Sequence, residues 1–294
     1  MVRLFLSLCL LVSLGAFAQT GSSGYRIYSS KINKEIAIPD LVQTIQADEA
    51  LVFGEQHDDS IGHQLEYLIF RELAGRFNGR LTLAMEMFHR DVQYILDEYL
   101  NGWISEKNFV RESRAWDSYK TDYRAVVEYA KELKIPVLAA NAPSRYTNMV
   151  TRKGLASLEV LPKGVKKTLI APLPIDTMTG RYFERFLEAM GGHTVPGMHL
   201  FQSQNFWDAT MSWSIAQEMN RNKKAPVFML VGRFHSDYHG GLVARLRDDY
   251  GKKVKTISCF AAEDFETPDW KNYAELADFV ILTRPVKKAV PEKK

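Results

Sequence analysis

Cysteine is nearly absent from this chain: two residues among 294, Cys9 and Cys259. Cys9 lies inside an apolar run, Leu4 to Leu14, that follows a short positive start at Met1-Val2-Arg3 and precedes Ala16-Phe17-Ala18. Positive start, apolar centre and an A-x-A site before Gln19 predict a secretory signal peptide over residues 1–18, too short to span a bilayer. A lipid anchor at Cys9 is not expected, because Leu8 is not small and the apolar run continues past the cysteine. Loss of the leader leaves Cys259 alone, which excludes an internal disulfide and makes packing the source of stability. Cys259 ends the strand-like run Val254 to Ser258 and reads as buried filler.

Runs of one charge sign are equally scarce. Lysine and arginine number 38 against 35 acids, a net charge of +3, or +2 once Arg3 leaves with the signal. Only Lys287-Lys288 and Lys293-Lys294 cluster, in a basic tail at 286–294 that reads as a solvated terminus. Nucleic acid is therefore not an expected partner. With 46% hydrophobic and 25% charged residues, residues 25–285 have the composition of one globular domain.

Past a Gly/Ser stretch at Gly21 to Gly24, apolar runs alternate with amphipathic ones. Strands are expected at Ala50–Phe53, Leu81–Met85, Pro136–Ala140, Pro226–Val231, Val254–Ser258 and Phe279–Leu282. Helices are expected between them, one placing Ile61, Leu65, Leu68, Ile69 and Leu73 on a single face, others over Asp122–Leu133 and Gln204–Met219. This order predicts an α/β fold, a mostly parallel sheet with helices on both faces. Residues from about 144 to 200 are too many for a simple crossover and read as a helical insertion.

In a parallel sheet the strand ends share one rim, where ligands bind. That rim would collect Glu55 and His57, Glu86, Asn141 and His235 from four strands. Two carboxylates and two imidazoles can hold a divalent metal or deprotonate a water. His63 and His89, in helical starts, are expected to be exposed, and His239, beside Gly240-Gly241, to sit either at the rim or in a turn.

Several motifs together resemble the ChaN-like haem-binding uptake proteins of the Tiki superfamily. They are Gly54-Glu55-Gln56-His57; Ala84-Met85-Glu86-Met87-Phe88 with Arg90-Asp91 and Gln93; and Trp116 with Tyr119 and Tyr123. To these belong Ala139-Ala140-Asn141-Ala142-Pro143, Gln204 with Asp208-Ala209 and Met211, and Gly232-Arg233-Phe234-His235 before Gly240-Gly241. Arg233 departs from the small residue, such as Asn, usual at that point.

The resemblance implies haem binding in iron uptake, with a tyrosine axial ligand at a homodimer interface. It also implies a periplasmic or outer-membrane-associated location and outer-membrane uptake machinery as a partner. Within the insertion, Tyr182 is the first candidate ligand, Arg181 and Arg185 candidate propionate partners, and His193 and His199 further donors; Tyr146 beside Arg145 is a second candidate ligand. The wider superfamily implies the alternative of a metal-dependent hydrolase, in which Glu55, His57, Glu86 and His235 would bind metal or catalyse.

Overall fold

A computed structural model describes residues 24–286. The expected signal peptide, Cys9 and the basic tail beyond Val286 lie outside them. In chain order the elements are β1 (Tyr25–Ser29), β2 (Lys34–Ile36), α1 (Ile38–Gln43), β3 (Glu49–Glu55), α2 (Ser60–Arg76), β4 (Thr82–His89), α3 (Gln93–Leu100), α4 (Glu106–Glu112) and α5 (Arg124–Glu132). Then come β5 (Val137–Asn141), α6 (Ser144–Lys153), α7 (Lys163–Thr168), α8 (Arg181–Ala189), α9 (Leu200–Arg221), β6 (Val227–Gly232), α10 (Gly241–Asp248), β7 (Lys253–Ala261) and β8 (Phe279–Thr283).

The strands form one sheet in the order β2-β1-β8-β7-β3-β6-β4-β5. The six from β8 to β5 are parallel, whereas β1 runs antiparallel to both β8 and β2. The α/β architecture matches expectation, but the antiparallel edge does not follow from it. Tyr25–Ser29 is short and partly polar, and it becomes a strand by pairing with β8 from Tyr25↔Thr283 to Ser29↔Phe279.

Strand periodicity separates two cores. Leu51 and Phe53 of β3 face α2, where Leu65, Ile69, Phe70 and Leu73 complete one layer. Ala50 and Val52 face the other way, onto Met211 and Ile215 of α9 and Leu242 and Leu246 of α10. Each large apolar side chain so enclosed contributes roughly 1.5–3 kcal/mol relative to exposure. Cys259 is part of the first core and fully buried. Between β5 and β6 the chain builds α6, α7 and α8 before α9 returns along the sheet; this is the helical excursion at 144–200. No helix among the described residues is long and apolar enough to cross a membrane.

Two details of α2 differ from the helical-wheel reading. Ile61 and Leu68 are only half-buried, and the buried face runs through Gly62, His63, Leu65, Glu66, Ile69 and Leu73. His63, expected in solvent, is 7% exposed. The stripe Gly62-Glu66-Ile69-Leu73 keeps helical spacing, so geometry buries an acid at an apolar position.

Gly54 allows β3 to pass beneath the turn after β6. A Cβ there would lie 2.3 Å from Ser236 Oγ, 3.0 Å from Arg233 Cα and 3.1 Å from Ile257 O. Gly54→Ala is expected to destabilise the fold by about 1–3 kcal/mol in denaturant titration. Gly75→Ala, with nothing within 4 Å of its Cβ, should instead stabilise α2 by roughly 0.5–1 kcal/mol. Equal effects at the two sites would contradict the packing described.

Candidate functional site at the carboxyl rim of the sheet

Glu55 closes β3 with its carboxylate 1% exposed. Its Oε1 accepts hydrogen bonds from the Tyr123 hydroxyl at 2.6 Å and from His57 Nδ1 at 2.6 Å. Tyr123 is brought in by a single π turn, Tyr119–Tyr123, between α4 and α5, a local widening of the helix often found at functional sites. Behind Glu55, His63 Nδ1 lies 3.3 Å from Glu55 Oε2 and 3.4 Å from Glu66 Oε2. Glu66 itself is completely buried.

A second group meets the first across Gly232. Glu86 Oε2 accepts from Gly232 N at 2.7 Å, and its Oε1 is 3.5 Å from His235 Nε2. His235 Nδ1 is 2.7 Å from Asp208 Oδ1. Asp208 also accepts from the Tyr182 hydroxyl, which in turn accepts from Gln204 Nε2 at 3.1 Å. A Cβ on Gly232 would fall 2.6 Å from His57 Nε2, so only glycine lets the His57 imidazole reach this point. The result is a run of polar groups from Tyr123 through Glu55 and His57 to Gly232, Glu86, His235, Asp208 and Tyr182, buried except at His57, whose side chain is 49% exposed.

The electrostatics follow from this pairing. Burial favours the neutral form of Glu55, but the neighbouring Glu66 carboxyl, the His57 hydrogen bond and the His63 ring outweigh it and hold the carboxyl well below its usual range. Glu66 is pushed the other way, by burial and by the neighbouring Glu55 charge. His57 is raised by its bond to Glu55, against the effect of burial. His235 rises to about 10: burial opposes the charge, yet Glu86 and Asp208 on either side override it.

Expectation and structure meet unevenly here. Glu55, His57, Glu86 and His235 do come together. Asn141 turns back on its own chain, its Oδ1 accepting from Ala142 N at 2.8 Å. Arg233 points away, paired with Asp237 at 2.8 Å and stacked over Phe260. Among the described residues, the trio of potential ligands converging within 4.8 Å is Glu55, His63 and Glu66; His57, Glu86 and His235 are not part of it. Asp208 and Tyr123 enter the sequence reading only as motif residues with no chemical role, and His63 and Glu66 have none there. The available signal was a polar residue at a buried helical position, as in Asp208 between Phe206 and Ala209.

A sequence profile of the family described as "Haem-binding uptake, Tiki superfamily, ChaN" matches residues 41–246, well over half the chain. The chain belongs to this family. Among solved structures, cofacial haem-binding ChaN of Campylobacter jejuni is similar at TM-score 0.65 and 18% identity, over 89% of this chain and 97% of that one. The type III effector HopBA1 (TM-score 0.47, 12% identity, 85% and 94% covered) and a mutant erythromycin esterase EreC in its open conformation (0.46, 12%, 91% and 84%) are more distant. No curated protein sequence matches. The Campylobacter likeness carries the fold alone.

For a ChaN-like protein the haem donors expected from sequence are of immediate interest. Tyr182 is 6% exposed and its hydroxyl is committed to Asp208. Burial and the Asp208 charge both raise its phenol above the ordinary value. Arg181 pairs with Glu275 at 3.3 Å and stacks on Tyr238. Arg185 donates to the Asp237 carbonyl at 2.9 Å and stacks on Phe234. His193 and His199 are exposed, in a stretch where Gly191, Gly192 and Gly197 all take positive φ.

Tyr146 differs. It is half-buried in the first turn of α6, just past the carboxyl end of β5, with the Arg145 guanidinium 4.5 Å over its ring. At the same edge of the rim opens a cavity of about 510 Å³ whose wall includes Arg90, Arg114, Tyr94, Ile95, Leu169 and Arg145, the chain neighbour of Tyr146, but not Tyr146 itself. Arg114 and Arg145 share one carboxylate, Asp91. Arg90 donates to the Thr168 carbonyl and to Ser214 Oγ and has no carboxylate among those partners. Asp91 and Glu112 also lie on the wall, so three guanidiniums stand against two carboxylates, an excess of one positive charge. Another cavity, about 460 Å³, has Thr82, Val137 and Glu218 on its wall, by the starts of β4 and β5 and away from the rim acids.

The folded-state rise of His235 means that its imidazolium stabilises the fold fully below about pH 6.5 and progressively less as pH climbs through about 10. His235→Asn leaves Glu86 and Asp208 without their shared cation and should cost about 3–5 kcal/mol near pH 6. The stability gap between wild type and variant, read from denaturant titrations, should shrink steadily toward pH 10. A gap constant across that range would contradict a charged His235.

Proposed function

We propose that this chain binds haem at the β5 edge of the rim and serves haem-iron acquisition, with Tyr146 as axial ligand and the arginine wall holding the propionates. The observation that carries the reading is the cavity of about 510 Å³ lined by three arginines next to a half-buried tyrosine, in a chain of a haem-uptake family. Its volume lies in the range of small-ligand sites. Guanidinium groups match carboxylates in a bidentate way, and Arg145 over the Tyr146 ring supplies counter-charge to a phenolate ligand of the kind haem accepts.

Tyr182 is the weaker ligand. To bind iron it would have to break from Asp208 and leave a buried position. An open haem face at the rim edge suits closure by a second copy of the chain, in line with the cofacial binding described for the Campylobacter protein. The leader expected at residues 1–18 supports action outside the inner membrane, in the periplasm or at the outer membrane, in exchange with outer-membrane uptake machinery.

A hydrolytic reading has one specific support: the half-exposed His57 imidazole, oriented at 2.6 Å by a buried Glu55. A base must be unprotonated to work, and the Glu55 bond favours protonated His57. That weighs against it as a general base near neutrality.

Titration of the purified protein with haemin should give a high-spin tyrosinate spectrum. Tyr146→Phe should weaken binding about tenfold or more, roughly 1.4 kcal/mol, while Tyr182→Phe retains the spectrum. No spectral change in wild type would overturn haem binding. Loss in Tyr182→Phe with retention in Tyr146→Phe would overturn the ligand assignment. Ester hydrolysis abolished by His57→Ala, without haem binding, would establish the hydrolytic reading instead.

A further inference from the structure

We infer that Glu55, His63 and Glu66 form a buried site for a divalent transition cation of the zinc or manganese type, distinct from the haem edge and independent of the haem reading. Donor atoms from the three side chains lie within 4.8 Å of one another, and all three residues are buried. His63 Nδ1 stands 3.3 Å from a Glu55 oxygen and 3.4 Å from a Glu66 oxygen. Two ligands on one tetrahedral ion at ordinary bond lengths of about 2.0–2.2 Å are themselves roughly 3.4 Å apart. The spacing is that of a coordination edge.

The surroundings orient the donors as a metal site requires. His63 Nε2 lies 3.1 Å from the His57 carbonyl oxygen, an acceptor that fixes a hydrogen on Nε2 and leaves Nδ1 as the ring atom turned toward the two carboxylates. Outer hydrogen bonds of this kind set the tautomer of ligating histidines. Tyr123 and His57 both occupy Glu55 Oε1, which leaves Glu55 Oε2 for the site. That oxygen and Glu66 Oε1 are buried with no hydrogen-bond partner, where an unmet polar atom is costly. A proton shared between the two carboxyls would satisfy those oxygens only. A cation would be held by both acids and by the imidazole, whose Nδ1 otherwise bonds Glu66 Oε2 at 3.4 Å. Two oxygens and one nitrogen, with no sulfur, select zinc, manganese or iron(II) over soft ions.

The discriminating variant is Glu66→Gln, whose amide reproduces the shape of a protonated Glu66. The chain is produced in medium supplemented with zinc and manganese, purified without chelator, and its metal counted by mass spectrometry. Wild type should carry about one equivalent and lose melting temperature on chelation. Glu66→Gln should carry none, and should melt where chelated wild type melts; Glu86→Gln should keep the metal. His63→Gln is the second variant should Glu66→Gln fail to fold, and it too should be metal-free, with affinity for added zinc at least about tenfold lower. Metal-free wild type, metal retained in Glu66→Gln or His63→Gln, or metal lost in Glu86→Gln would each overturn the site.

Discussion

Four carboxylates sealed behind one edge of the sheet govern this molecule. Glu55, Glu66, Glu86 and Asp208 are each 7% exposed or less, in an interior where an unpaired charge costs several kcal/mol. Everything near the rim answers to that cost. The π turn delivers Tyr123 to Glu55, Gly232 makes room for His57, and α9 carries Asp208 and Gln204 on a face packed into protein. Three imidazoles, His57, His63 and His235, stand between the acids and set which are charged. Such a network gains from completeness: each member satisfies its neighbour, and removal of one strands the next.

Saturation has a functional consequence. A carboxylate already bonded to Tyr123 and His57, or an imidazole held between Glu86 and Asp208, is not free to take a large ligand. Tyr182 is caught in the same network through Asp208. The proposed haem site lies instead at the β5 edge, where Arg114 and Arg145 meet Asp91 and Arg90 stands on the same cavity wall. The rim interior keeps unpartnered oxygens on Glu55 and Glu66, where the small cation is proposed.

Much of this was legible in the sequence, because strand ends are marked by abrupt changes of chemistry. Gly54-Glu55-Gln56-His57 after an apolar run, Glu86 after Leu83-Ala84-Met85 and His235 after β6 all announced the rim, and topology brought them together as expected. Burial of His63 and Glu66 escaped that reading, since helical starts are usually wet and only the sheet decides which face of α2 is covered. Asp208 was hidden for the related reason that a polar residue within a fully buried helix has no periodic signature of its own. The antiparallel β1 depends on a partner more than 250 residues away, which local pattern does not reveal. Sequence neighbours rank Tyr182 ahead of Tyr146; the hydrogen bond of Tyr182 to Asp208 is what speaks against that order.

If the acid–imidazole interior is structural, as proposed, haem lies outside it. Anomalous diffraction at the iron edge, on crystals of the haem-loaded protein, locates the iron without reference to any assumed ligand. The account predicts iron at the Tyr146 oxygen, with the porphyrin edge toward Arg90, Arg114 and Arg145. Iron on Tyr182, on His193 or His199, or between His57 and His235 would contradict it.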